Sequence, residues 1–174
     1  MTTIFKFEFE ELKNLVRDTN SCIVEKSVTQ YISVQPWNLG NVKQSIKNDL
    51  DEKIGKFDKE CNGIVLGYKH RFLQNVGTIK NDNPAVHFPV QTDYFIFRPH
   101  VGATLTGIVN KKSITHLGIL VHRMFNAVIP RPTEKPGNEW LGSSIQEGQE
   151  VTYKIVVLDL YGELPYILGE LDER

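Results

Sequence analysis

"VNKKSITHLGILVHRMFNAVIPRP", Val109 to Pro132, is the stretch on which the reading of this chain turns. It contains no Asp or Glu, although the 174-residue chain carries a formal net charge of -1. Through its middle, alternation puts Leu117, Ile119 and Val121 on one face and His116, Gly118, Leu120 and His122 on the other. This is the pattern of a half-buried strand whose first set faces a core. The acid-free window runs further, from Tyr94 to Thr133, and holds Arg98, Lys111, Lys112, Arg123 and Arg131 with His100, His116 and His122. From Glu134 to Arg174, nine acids stand against three Lys/Arg. Charge is segregated along the chain, and for partner choice its distribution matters more than its sum.

Working outward, the segments on both sides of this strand also alternate. They predict strands over Ala103 to Asn110, Ile114 to His122, Phe125 to Pro130, Glu150 to Asp159 and Pro165 to Leu171. Five strands with one long connection, "RPTEKPGNEWLGSSIQEGQ", suit a small OB-type barrel. Upstream of Gln91 the period changes to that of helices. "FEFEELKNLVRD" spaces Phe9, Leu12, Leu15 and Val16 for a short amphipathic helix, and Val42, Ile46, Leu50, Ile54 and Phe57 predict a long one over Asn41 to Glu60. Asn41 reads as its N-cap and "CNG", Cys61 to Gly63, as its exit. "SCIVEKSVTQYISV" reads as a strand or hairpin, and "GIVLGYKHRFL", "VGTIKN" and "AVHFPVQ" as short strands. The fold class is therefore α+β, an N-terminal α/β domain over residues 1–92 followed by an all-β five-stranded OB-fold barrel over residues 93–174.

Composition, 40% apolar and 24% charged with 13 Gly and 8 Pro, is that of a folded domain with a core to bury. The first residues carry acids and lack the apolar run of a signal peptide, and no window approaches the roughly 18 apolar residues of a membrane span. The expectation is a soluble, intracellular protein with no membrane partner. Cys22 and Cys61 match no metal or C-x-x-C spacing and are expected as buried, reduced thiols.

Chemically, the basic strand is the feature to explain. On the outer sheet of an OB barrel, cationic side chains track phosphates and flat rings stack on bases. Lys111, Lys112, His116, His122, Arg123 and Arg131 are the candidate RNA-binding residues; the alternative is a solvated basic face. Phe125 reads as core ahead of a base-stacking platform, and "YFIF", Tyr94 to Phe97, as packing between domains ahead of a stacking surface. No H-E-x-x-H, G-x-S-x-G, P-loop or dinucleotide fingerprint is present, and His116 and His122 lack a third ligand. The expectation is no catalytic site, no metal and no cofactor. Trp37 in the "PWNLG" turn is either an exposed protein-contact anchor or a residue buried under the helix.

"GIVNKKSITHLGILVHRMFNAVIPRP", Gly107 to Pro132, closely resembles the OB-domain signature of the large stalk subunit of eukaryotic RNA polymerase I: G-x-V-N-K, then H-x-G-x-L-V-H, then F-N-A-x-I-P-x-P. "CIVEKS", "LGNVKQSI", "GIVLGY", "VGTIKNDN" and "DYFIFRP" follow in the order of that family's N-terminal tip domain, so the resemblance covers roughly Ser21 to Leu171. It implies a non-catalytic subunit in the nucleus and nucleolus that supports initiation at ribosomal RNA genes. Its implied partners are the RNA polymerase I core subunits, a small second stalk subunit, a polymerase I initiation factor and nascent RNA. Pro36, Trp37, Asn38, Leu39, Gly40, Asn83 and Pro84 fall where tip loops contact the polymerase body, and His122 occupies the L-V-H histidine beside the RNA face. The long basic tail of some animal members has no counterpart after "GELDER". The rival reading is a free-standing OB-fold RNA-binding module in processing or translation, for which an apolar tip turn has no use.

Overall fold

The computed structural model describes residues 7–74, 76–80, 82–134, 140–162 and 165–171. The chain divides into two compact units, one of residues 1–13 and 24–97, the other of residues 14–23 and 98–174. The division after Phe97 lies beyond the expected boundary at Thr92 because one strand runs unbroken through Thr92 to Phe97.

The first unit is a sheet with a helix packed on it. Helix α1 (Phe9–Arg17), whose residues from Asn14 onward belong to the second unit, is followed by β1 (Ile23–Val34), a 3-10 turn (Pro36–Asn41), α2 (Val42–Asp51), β2 (Phe57–Asp58), β3 (Gly63–Phe72), β4 (Thr78–Ile79) and β5 (Val86–Phe97). The strand order is β1-β5-β3-β2, with β4 also paired to β5. Ile46 and Leu50 of α2 are buried with Val34, Val65, Val90, Tyr94 and Ile96 of the sheet. Tyr94 and Ile96, expected between domains, belong to this core, and Phe95 meets the Phe9 ring edge-on at 5.7 Å.

Helix α2 is shorter than its apolar spacing predicts. It ends at Asp51, and Gly55 takes a left-handed φ of 83° that helical geometry cannot accommodate. The Gly55 N–H donates to the Val65 carbonyl at 2.8 Å, and Phe57 and Asp58 pair with Ile64 and Gly63. Ile54 and Phe57 therefore share the helical spacing without sharing the helix, and the exit is at Gly55 rather than at Cys61 to Gly63. Asn41 holds the N-cap position without a side-chain hydrogen bond, the preceding 3-10 turn having already set the helix entry. Strand β5 absorbs both "AVHFPVQ" and "YFIF". Pro89 is tolerated because it falls between the β4 pairing at Val86 and His87 and the β3 pairing that begins at Val90.

The second unit contains β6 (Thr104–Lys112), β7 (His116–Val121), β8 (Phe125–Pro130), a 3-10 turn (Leu141–Ser144), β9 (Glu150–Asp159) and β10 (Tyr166–Leu171). These close into a five-stranded barrel of order β10-β8-β7-β6-β9. The meander β6-β7-β8, the parallel β8–β10 pair and the return through β9 to β6 are OB-fold connectivity. The α+β class with a C-terminal OB barrel is thus the observed fold. Leu117, Ile119 and Val121 point inward as alternation requires, with Leu105, Phe125, Ala127, Ile129, Tyr153, Ile155 and Ile167. Cys61 is buried, whereas Cys22 is half-buried in a left-handed conformation and bonds the Thr104 carbonyl at 3.6 Å.

Barrel space is tight at two inward glycines. A Cβ at Gly107 would stand 2.4 Å from the Ile119 Cγ2, and one at Gly169 2.3 Å from the Tyr153 ring. Tyr153 is wholly buried, and its hydroxyl has no hydrogen-bond partner among the described residues. Burial pushes its ionisation up, so the phenol stays neutral. Two substitutions should therefore move stability in opposite directions. Gly107→Ala should destabilise the barrel by about 1–3 kcal/mol through overpacking. Tyr153→Phe should stabilise it by about 1 kcal/mol by removing an unsatisfied hydroxyl. Urea unfolding followed by barrel amide signals measures both.

Candidate functional site

The six basic candidates separate into two groups. Lys111 pairs with Gly118 and Lys112 with Leu117, which puts both beside the start of β7. His116 opens that strand opposite Pro130, and the Arg131 N–H donates to the Thr115 carbonyl at 2.8 Å. Lys111, Lys112, His116 and Arg131 therefore gather around the β6–β7 loop. A bulge at Asn110, between the Val109 and Lys111 pairings, turns the end of β6 so that Lys111 is exposed.

His122 and Arg123 lie at the opposite end of β7. Alternation carried through His122 predicts a face shared with His116, but β7 ends at Val121. Val121 pairs with Phe125, and the three residues between them make the hairpin loop. His122 and Arg123 take left-handed φ values of 51° and 61° to close it, and the Met124 N–H donates back to the Val121 carbonyl at 3.1 Å. At about 3.3 Å per residue the two ends of β7 stand roughly 20 Å apart. Sequence reasoning missed this because a period of two carries no sign of where a strand stops.

Each histidine has a local task. The His122 Nε2–H donates to the Ser21 carbonyl at 2.7 Å. With Thr106 N–H to Asn20 carbonyl at 3.0 Å and Arg98 N–H to Cys22 carbonyl at 2.8 Å, it ties residues 20–22 to the barrel. His116 Nδ1 lies 3.0 Å from Ser113 Oγ and 3.1 Å from Thr115 Oγ1, which braces the β6–β7 loop. Lys112 Nζ donates to the Ser143 carbonyl at 2.7 Å and links that loop to the 3-10 turn before β9. Between the two basic groups the outward side chains are uncharged: Ile108 stands opposite Leu120, and Gly118 opposite Val128. Phe125 is buried in the core.

In the first unit, the apolar turn is open. Trp37 is 78% exposed and Leu39 45%, so the helix does not cover the indole. The turn follows the C-terminal end of β1, where Ser33 Oγ lies 2.9 Å from His87 Nδ1 near the start of β5. Asn83 and Pro84 precede that start and are exposed, and Asn83 Oδ1 accepts the Ala85 N–H at 3.0 Å. The residues expected as a contact surface, Pro36 to Gly40 with Asn83 and Pro84, thus lie at one end of the sheet. Exposed Val76 and Ile79 of the β4 hairpin lie there too, a pair that sequence reasoning did not single out.

Among the described residues no group of three or more His, Cys, Asp or Glu side chains is placed to hold a metal ion. No helix among them is long and apolar enough to cross a membrane.

Residues 99–154 match the family profile of the RPA43 OB domain in RNA Pol I. The chain is 33% identical over 146 residues to the DNA-directed RNA polymerase I subunit RPA43 of Mus musculus, covering 83% of this chain and 44% of that protein. The Homo sapiens subunit is 32% identical over 146 residues, with 83% and 43% covered. The Schizosaccharomyces pombe subunit is 33% identical over 110 residues, with 63% and 64% covered. The chain spans less than half the length of the two animal relatives. The resemblance to the large stalk subunit of RNA polymerase I is therefore shown along most of this chain, most specifically in the barrel.

If His122 clamps residues 20–22, then His122→Ala should cost about 0.5–1.5 kcal/mol. It should also raise hydrogen exchange at Ser21 to Ile23 while leaving Ile46 and Leu50 of α2 protected. Unchanged exchange at Ser21 to Ile23 would remove the clamp.

Proposed function

We propose that this chain, a relative of RNA polymerase I subunit RPA43 carrying that family's OB domain, is a non-catalytic stalk subunit of DNA-directed RNA polymerase I in the nucleus and nucleolus. The first unit attaches to the core subunits, and the barrel contacts nascent RNA. Together with a small second stalk subunit, the chain supports initiation at ribosomal RNA genes by docking a polymerase I initiation factor.

The observation that carries the attachment reading is the exposed Trp37 beside Leu39, Asn83 and Pro84 at one sheet end. Tryptophan is enriched at the centres of protein interfaces, and an indole left in water has no packing role of its own. Trp37→Asp should therefore leave folding stability within about 0.5 kcal/mol. Affinity purification of the tagged chain, followed by mass spectrometry, should recover the polymerase I core subunits with the native sequence and lose most of them with Trp37→Asp. Recovery of ribosomal or processing factors without polymerase would support the free RNA-binding module instead.

The RNA reading rests on the two basic groups that bracket the outward face of β7, Lys111, Lys112, His116 and Arg131 at one end and His122 with Arg123 at the other. A span of roughly 20 Å suits a single strand of several nucleotides, within the ~4–16 that one OB fold engages. Replacing Lys111, Lys112 and Arg131 by Ala should weaken single-stranded RNA binding several-fold at low salt. It should lower the slope of log K against log salt by about 2, at roughly 0.7 per lost phosphate contact. An unchanged slope would make this end a solvated basic surface.

A further inference from the structure

An open pocket of about 420 Å³ lies beside the β6–β7 loop, lined by Lys112, Ser113, Ile114, Trp140 and Ser143. Its size falls in the ~300–1,000 Å³ range of small-ligand sites. Trp140 is 3% exposed and forms its apolar floor, while Ile114, 81% exposed, stands at the rim. The walls are held in place before any ligand arrives. The Trp140 ring packs so closely on the 3-10 turn that a Cβ on Gly142 would come within 2.5 Å of it. Ser143 Oγ donates to the Trp140 carbonyl at 2.7 Å, and Lys112 Nζ donates to the Ser143 carbonyl at the same distance. On the loop side, Ser113 Oγ accepts the N–H groups of Thr115 and His116 at 3.2 and 3.1 Å.

We propose that this pocket receives one nucleobase of the RNA strand, a refinement that rests on the RNA contact proposed above. Charge selects the occupant. Lys111, Lys112 and Arg131 meet at this same end of β7. A flat apolar body tethered to phosphates fits such a rim, whereas an acid-free apolar peptide gains nothing from it. The Ser143 hydroxyl, which donates to the Trp140 carbonyl, keeps acceptor capacity for a base edge, and Lys112 keeps donors beyond the one given to Ser143. The base therefore seats beside the Trp140 side chain while its flanking phosphates meet the cations. The outward middle of β7, with Gly118 and Leu120, offers no aromatic platform for stacking. Base contact is thereby concentrated at the loop.

The test uses the full chain with Trp37→Phe, which leaves Trp140 as the single tryptophan. The probes are a single-stranded RNA of about eight nucleotides and a sugar–phosphate strand of the same length without bases, a length inside the ~4–16 nucleotide range of OB folds. The expected result is quenching of Trp140 emission by the intact strand alone, with binding several-fold tighter than that of the abasic strand. Ser143→Phe, which fills the pocket, and Ile114→Ala, which removes an exposed wall, should each erase that difference and leave the salt slope unchanged. Equal, salt-dependent binding of both strands with no change in emission would overturn the pocket and leave the RNA reading standing. Binding of neither strand at low salt would overturn both.

Discussion

Closure of five strands into a barrel is the constraint from which the second unit follows. So few strands leave an interior that holds side chains and nothing else. Alternation then admits no slip, because moving a strand by one residue would turn its apolar set outward. Parallel pairing of Ile167 with Ala127 and Leu168 with Val128 completes the ring and consumes the two edges that an open sheet would expose. With the interior committed to packing, chemistry is left to the outward side chains and to the loops at the barrel ends. The outward middle of β7 is uncharged, so the cations collect at the two ends of that strand. Their separation is a consequence of where β7 begins and stops.

The barrel was legible in the sequence nearly strand by strand, since period-two alternation and Gly or Pro punctuation report the same structure twice. β8 and β9 begin and end where the alternation places them, and Leu117, Ile119 and Val121 face inward. Legibility failed where a period outlasts its element. Helical spacing continues from Leu50 to Ile54 and Phe57, yet Gly55 reverses the chain and the last two residues of that apolar series serve a turn and a short strand. Strand spacing likewise reaches His122, where the backbone has already entered a left-handed loop. Trp37 was undecidable for a different reason, because whether a turn indole is covered depends on tertiary packing that local spacing does not encode. The segment 20–22, held to the barrel by His122, Thr106 and Arg98, was read as part of the first unit for the same reason.

The two units present different surfaces. At one end of its sheet the first exposes Trp37, Leu39, Val76 and Ile79, apolar groups suited to burial against protein. The second exposes cations at both ends of one strand and an apolar pocket beside one of them, a combination suited to a charged strand. The membership of a transcribing assembly proposed above would account for both, since a stalk of that kind would need a fixed attachment and a surface that transcripts can meet and leave. A free RNA binder accounts for the second surface alone.

The most direct measurement of this division places a photo-crosslinking amino acid at position 37 of the tagged chain in cells, with a matched label at exposed Thr152 of the barrel. The account predicts that position 37 forms an adduct with a core subunit of RNA polymerase I in far higher yield than position 152. Adducts with ribosomal or processing proteins alone, or polymerase adducts formed equally from both positions, would contradict it.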